Sequence, residues 1–357
     1  MTSDIPRRFD APISSVSNVP RSTVIASLEW LTERSSSGGP EKGDTFPVTW
    51  RADDTLLSAA GDPVSNVSRS GLDVRRFEGE PPTFSMSVIN EMSDFVGWGG
   101  DGPKPTGMFA VDGTAYLAAQ NVPGRHSDDD AVINWGHGYD AHIFSSTDGG
   151  LNWSPRLDEV ATAMFPGRAF GSPAFVNFGK ENEHAVDEYA YAISGEGWDN
   201  GSRAVLGRVP LTSIQDRSTW EFVAGFDDGV PRWSSDIEQA EPVLRHPGYL
   251  GTVDIVYLHG LKRYLLLSWR NKVMAQPGPG SELIIYEAPE PWGPFSLVHH
   301  EDPWETADLN PYNPRVPLKW YDHDLNEGWL VFSGNWRDEG STPDYRAHAR
   351  KFRLLLR

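Results

Sequence analysis

Five short apolar runs recur along the chain, at residues 55–59, 114–118, 189–193, 264–268 and 329–332. Each is too short for a helix, and several are entered through turn dipeptides such as Asp112-Gly113 and Glu327-Gly328. Matching Leu56, Tyr116, Tyr189, Tyr264 and Trp329 gives spacings of 60, 73, 75 and 65 residues. A third strand follows in each unit, at 73–77, 141–145, 204–209, 281–286 and 346–356. A fourth follows in the first four units, at 83–88, 151–154, 219–223 and 295–298. Four antiparallel strands per unit, repeated with variable loops, is the pattern of a β-propeller. Gly (35) and Pro (28) make up about one residue in six of the 357, a density that helix interiors do not tolerate. The expected fold is all-β: a five-bladed propeller in one domain over 1–357, with an N-terminal arm over 1–43 and blades over 44–357.

The last unit ends at Arg357 with no fourth strand, while the apolar segment 22–30 precedes the first unit. That segment is expected to supply the missing outer strand, which removes two open sheet edges. A short surface helix over 24–31 is the alternative. Ser146-Thr147-Asp148-Gly149-Gly150-Leu151-Asn152-Trp153 fits the Asp-box pattern Ser-x-Asp-x-Gly-x-x-Trp of sialidases and other propellers. There Asp148 is expected to cap turn amides, the glycines to take positive φ, and Trp153 to pack on the hairpin base. The run from Glu287 to Phe295 looks like the corresponding hairpin of the fourth blade.

Composition narrows the function. Basic residues number 31 against 50 acidic, a formal charge of −19, which disfavours nucleic acid and anionic membrane surfaces as partners. The absence of Cys removes disulfides, thiolate catalysis and Cys-ligated metals. The segment 1–10 is polar, no leader-length apolar stretch follows it, and no window approaches the ~18 apolar residues of a membrane span. The chain is expected to be soluble; its compartment is not assigned.

In a propeller, polar residues at the ends of the innermost strands face one another across the axis. The first unit is richest: Asp44 precedes its first strand, Asp53 and Asp54 occupy the turn, and Asp62 follows the returning strand. A tight hairpin brings Asp44 and Asp62 together at one rim, as an acid and a base of glycoside hydrolysis would be; capping of turns is the bland alternative. Lys104, Ser172, His246, Asp254, Asn313 and Arg315 stand at expected inner-strand starts and are candidate substrate contacts. Trp50 is a further candidate. Glu196 and Trp198 end an inner strand; Trp198 either stacks on a sugar or packs between blades. Asp128-Asp129-Asp130 reads as a solvated loop that could also ligate calcium, though three consecutive Asp lack a ligand spacing. His137, His142 and His246 do not form a metal motif, so no metal ligand is assigned and no cofactor is required.

Several strings resemble the bacterial family called domain of unknown function 4185, part of which is classed as glycoside hydrolase family 183, the endo-D-arabinanases. They are Phe46-Pro47-Val48-Thr49-Trp50 with Ala52-Asp53-Asp54, Lys104-Pro105-Thr106-Gly107-Met108, Ser172 to Lys180, Asp187-Glu188-Tyr189, Arg208-Val209-Pro210, Trp233 to Ile237, and Leu261-Lys262-Arg263-Tyr264. The resemblance implies a five-bladed propeller and an inverting hydrolase of arabinan-like, furanoside-containing polysaccharide. It implies two catalytic aspartates near the N-terminus, at positions matching Asp44 and Asp62. Asp44 is expected as base and Asp62 as acid. The chain departs from the pattern after Gly61-Asp62, where Pro63-Val64-Ser65 replaces a Gly-rich stretch. The rival functions are a non-catalytic carbohydrate-binding propeller and a polysaccharide lyase.

Overall fold

The structure, a computed structural model, describes residues 15–64, 70–97, 102–122, 138–272, 280–306, 309–335 and 343–357. Asp128, Asp129, Asp130 and His137 lie outside these. Strands dominate. The chain opens with β1 (Ile25–Trp30), β2 (Ser35–Ser36), β3 (Lys42–Asp44), β4 (Val48–Trp50), β5 (Leu56–Val64), β6 (Leu72–Glu80) and β7 (Thr83–Asn90). There follow β8 (Lys104–Val111), β9 (Thr114–Gln120) and β10 (His142–Ser146). Next come β11 (Pro173–Asn177), β12 (Tyr189–Gly195), β13 (Gly201–Pro210), β14 (Glu221–Asp227), β15 (Val230–Ser234) and β16 (Pro242–Leu250). The remainder holds β17 (Asp254–Leu258), β18 (Arg263–Asn271), β19 (Ser281–Ala288), β20 (Ser296–Glu301), β21 (Tyr312–Arg315), β22 (Glu327–Ser333) and β23 (Ala347–Leu356).

Antiparallel pairing divides the described strands into five groups: β3/β4-β5-β6-β7, β8-β9-β10, β11 to β16, β17 to β20, and β21-β22-β23 with β1 and β2 both paired to β23. Each of the five apolar runs falls on the second strand of its group. Turn chemistry sets the hairpins. Asp112-Gly113 and Asp228-Gly229 take the positive φ pairs (50° and 76°, 50° and 84°) that a two-residue turn needs. Segment 22–30 contains a strand and not a helix: β1 runs antiparallel to β23, with Leu28 opposite Leu354 and Trp30 opposite Phe352.

Three details differ from expectation. Glu327-Gly328 lies inside β22, and the turn before it ends at Asn326, which takes φ 52°. The expected strand 151–154 reduces to a single bridge between Ser145 and Ser154. The third group gains β15 and β16, because Asp228-Gly229 folds a further hairpin and β16 pairs back on β13.

The core lies between the groups. Separate apolar clusters join the first group to the second (Leu57, Val74 with Met108, Leu117), the second to the third (Phe109, Ile143 with Phe175, Trp220), and the third to the fourth (Ile193, Leu206 with Ile255, Leu266). Two more join the fourth to the fifth (Leu267, Ile285 with Leu330, Phe352) and the fifth back to the first (Trp320, Val331 with Phe46, Phe77). Sheets that pack only face to face expose one apolar face at each end of a stack; here each group has two neighbours. The first strands of the third and fourth groups also meet directly: β11 and β17 share a short parallel ladder at Val176/Ile255. No helix among the described residues is long and apolar enough to cross a membrane.

Candidate active site

Asp44 ends β3, and its partner across the sheet is Gly61 of β5, the residue before Asp62. The hairpin thus brings both aspartates to one rim. Thr45 and Phe46 follow with φ of 68° and 43°, a left-handed pair without glycine. A β-branched residue in that region stores strain, and strain of this kind is held by its surroundings. Here the Thr45 amide donates to Ser333 Oγ (2.9 Å), the Phe46 amide to Asp44 O (2.9 Å), and Arg315 Nε to Thr45 O (3.1 Å). The turn aims the Asp44 carboxyl against Gly61, where a Cβ would lie 2.4 Å from Oδ1. Only glycine leaves space there.

Asp44 is 5% exposed. Its Oδ2 accepts from the Tyr312 hydroxyl (3.0 Å), while its buried Oδ1 has no well-aligned hydrogen-bond partner among the described residues. Burial first, and then the Asp62 charge, push this carboxyl from 3.8 up to about 7; Lys104, Tyr312 and Tyr345 pull it down. Asp62 Oδ1 forms an ion pair with Lys104 Nζ at 2.8 Å, both side chains being largely buried. The two carboxyls therefore sit in different environments: Asp44 holds its proton near neutrality, and Asp62 faces a cation. Environments that differ in this way are what separate an acid from a base where two carboxyls share a site.

The family model described as "Domain of unknown function (DUF4185)" matches residues 36–307. The chain belongs to this family. No curated protein matches the DUF4185 chain. Solved structures share its fold at low identity. A protein from Bacteroides ovatus ATCC 8483 is 10% identical with a TM-score of 0.57, covering 96% of each chain. The alpha-L-arabinofuranosidase PaAbf62A from Podospora anserina, in complex with cellotriose, is 10% identical with a TM-score of 0.53, covering 92% of this chain and 98% of its own. A GH43_1 enzyme from Xanthomonas citri is 11% identical with a TM-score of 0.50, covering 89% of each.

Of the other DUF4185 residues singled out in sequence, the structure gathers some and disperses others. Lys104 joins Asp62. Ser172, just before β11, and Gln120, opposite Lys104 in β9, are buried, and Ser172 Oγ and Gln120 Oε1 have no hydrogen-bond partner among the described residues. A Cβ on Gly138 would touch both side chains. Asn313, 1% exposed, stands beside Tyr312.

Arg315, at the end of β21, is held as a buried ion. Its fully buried guanidinium is bound by Asp254 Oδ1 (3.2 Å), Val253 O (3.1 Å) and Thr45 O, leaving it no freedom to reach a substrate. His246 lies in β16, which pairs with β13 at the far side of the third group from β11 and β12. It is fully buried, stacked on Tyr249 at 4.3 Å and bonded to Tyr286 Oη at 2.7 Å; burial holds it below its usual pKa. It is a core histidine.

Trp50 ends β4, whose register runs away from Asp44. Its indole donates to Asp54 Oδ1 (2.9 Å) at the opposite rim. Glu196 accepts from Ser202 N and pairs with Arg203 at 2.8 Å. Trp198 packs, half-buried, on the cluster between the fourth and fifth groups. The sequence reading missed Tyr312, Tyr345, Gln120 and Thr45. Tyr312 adjoins a candidate, Asn313; nothing in local sequence marked Tyr345, which reaches the site from β23's approach. No group of three His, Cys, Asp or Glu among the described residues is placed to hold a metal ion.

Proposed function

We propose that the five strand groups are the blades of one closed five-bladed propeller, and that this chain is a glycoside hydrolase of furanoside-containing, arabinan-like polysaccharide. The return of the fifth group onto the first and the β1–β23 pairing support the closed ring. The buried Asp44, protonated near neutrality beside an ion-paired Asp62, carries the hydrolase reading. Family membership, and the motif resemblance to glycoside hydrolase family 183, point the same way. The fold shared with the arabinofuranosidase agrees with it.

In this reading Asp44 gives its proton to the leaving glycosidic oxygen. Asp62, ion-paired to Lys104, takes a proton from a water that attacks the anomeric carbon from the opposite face. The C–O bond breaks as the new one forms, and the product anomer is inverted; proton exchange with solvent then resets both groups. Inversion requires the two carboxyls to bracket a water and a sugar, with a separation of roughly 6.5–9.5 Å.

The test is a panel of D-arabinan, L-arabinan and other plant and microbial glycans with reducing-end detection. Asp44→Asn and Asp62→Asn should each lower the rate on the order of 10²–10⁴-fold. NMR of the first product formed should show the inverted anomer. Full activity in both variants sinks the assignment. The low exposure of both carboxyls favours one rival, a carbohydrate-binding propeller, for which the panel would give binding without new reducing ends.

A further inference from the structure

We infer that Trp269, Thr252 and Asn313 form a hydrogen-bond relay that fixes the Asn313 side-chain amide as a donor to the glycan. The inference rests on the hydrolase reading of this rim and deepens it. Trp269 Nε1 donates to Thr252 Oγ1 at 3.0 Å, and Thr252 Oγ1 donates to Asn313 Oδ1 in a short bond. An indole N–H can only donate. The Thr252 oxygen is therefore the acceptor in the first bond, and its single hydrogen goes to Asn313. Turning the amide over would leave that hydrogen without an acceptor, so the relay selects one orientation. It leaves the Asn313 NH₂ group as the far end of the relay. Nδ2 is buried and makes no hydrogen bond with the described residues.

Two observations connect this donor to the site. Asn313 follows Tyr312, whose hydroxyl binds Asp44. Its backbone takes φ 52°, a conformation that redirects the chain between Tyr312 and Arg315. Other buried polar atoms on the loops and strand ends around Asp44 and Lys104 also lack a hydrogen-bond partner among the described residues: Asp44 Oδ1, Thr45 Oγ1, Gln120 Oε1 and Ser172 Oγ. Buried polar groups in native proteins are nearly always paired, so several orphans at the same rim mark a surface built for a partner carrying both donors and acceptors. Sugar hydroxyls do both. Among these orphans Asn313 Nδ2 alone can only donate, so it recognises a hydroxyl or ring oxygen through its lone pairs. Thr252 and Trp269 act through Asn313 as positioning residues.

Thr252→Val keeps the shape and removes both hydrogen bonds; Thr252→Ser restores them. Asn313→Gly removes the donor while tolerating positive φ. On whichever glycan the wild type cleaves, Thr252→Val and Asn313→Gly should each lower kcat/KM about tenfold or more, and Thr252→Ser should return it to within about threefold of wild type. Binding of the same glycan to each change made in the Asp44→Asn background should weaken in parallel. Thermal melting reports whether each protein folds. Unchanged kcat/KM and binding in folded Thr252→Val or Asn313→Gly overturns the relay and leaves the hydrolase reading standing. So does a Thr252→Ser protein as impaired as Thr252→Val. A wild type that neither cleaves nor binds any glycan of the panel overturns both.

Discussion

Asp44 is where electrostatics and stability meet. Its ordinary pKa of 3.8 is raised to about 7 in the folded chain. The folded state therefore binds this proton more tightly than the unfolded state. The stabilisation is complete below pH 3.8 and is lost as pH rises through about 7. A gap of that size corresponds to on the order of 4 kcal/mol. Asp44→Asn stays neutral, so urea melts should show it more stable than wild type at pH 8 and similar at pH 4, although inactive. A variant less stable than wild type at pH 8 would contradict the burial argument. Wild-type activity should fall on the alkaline side as Asp44 ionises, with an apparent pKa near 7 that ligand binding can move. Gly61→Ala tests the same carboxyl sterically. The new Cβ would displace Asp44 Oδ1, and activity should drop at least tenfold while the circular dichroism spectrum is retained.

β1 and the Ser146–Trp153 turn show how a strand or hairpin can matter for folding without touching chemistry. Ile25 and Leu28 of β1 are buried, Trp30 Nε1 donates to Glu301 Oε2 (2.7 Å), and Arg350 lies over the Trp30 ring at 4.6 Å. Deleting residues 1–32 strips this strand from β23 and should abolish the cooperative thermal transition; a transition within a few degrees of wild type would refute the closing role. In the hairpin, Asp148 Oδ1 accepts from the Asn152 amide (2.9 Å) and from Ser146 Oγ (2.9 Å). Gly149 and Gly150 have φ of 84° and 94°, and Trp153 Nε1 donates to Gly150 O (3.0 Å). Asp148→Ala should cost about 1 kcal/mol in chemical denaturation and leave kcat/KM unchanged, since the turn stands outside the Asp44 rim.

Across the assembled sheets, opposing titrations set the pH dependence of stability. Burial holds His142, His323 and His348 down to about 4. A folded state that resists protonation loses stability as pH falls from 6.5 towards 4, so these histidines favour folding at higher pH. Asp44 works in the other direction over an overlapping range. Wild-type stability should therefore be flatter between pH 4 and 7 than that of Asp44→Asn, whose stability should climb through the same interval in urea melts at matched ionic strength. Parallel curves for the two proteins would remove Asp44 as the source.

The strand order was legible because its causes are local. Apolar runs of strand length and Asp-Gly turns specify hairpins whatever lies beyond them, and the five second strands fall on the five runs read from sequence. The Asp44–Asp62 pair was legible for the same reason, since a hairpin register relates residues a few positions apart. What lay beyond reach depends on contacts between segments far apart in the chain. Arg315 looked like a substrate contact until Asp254 and Thr45, 61 and 270 residues away, were seen to bind it. His246 looked like a rim residue until β16 folded back onto β13. The proposed division into acid and base rests on burial and on Lys104, and neither desolvation nor an ion pair between sheets is written in a local pattern. Sequence determined the five apolar strands and the Asp-Gly turn at 112–113; β15, β16 and the turn before β22 came to light only in the fold. The packing of the sheets decided which polar side chains are left with something to do, because charge, burial and hydrogen-bond partners are properties of the assembled interior.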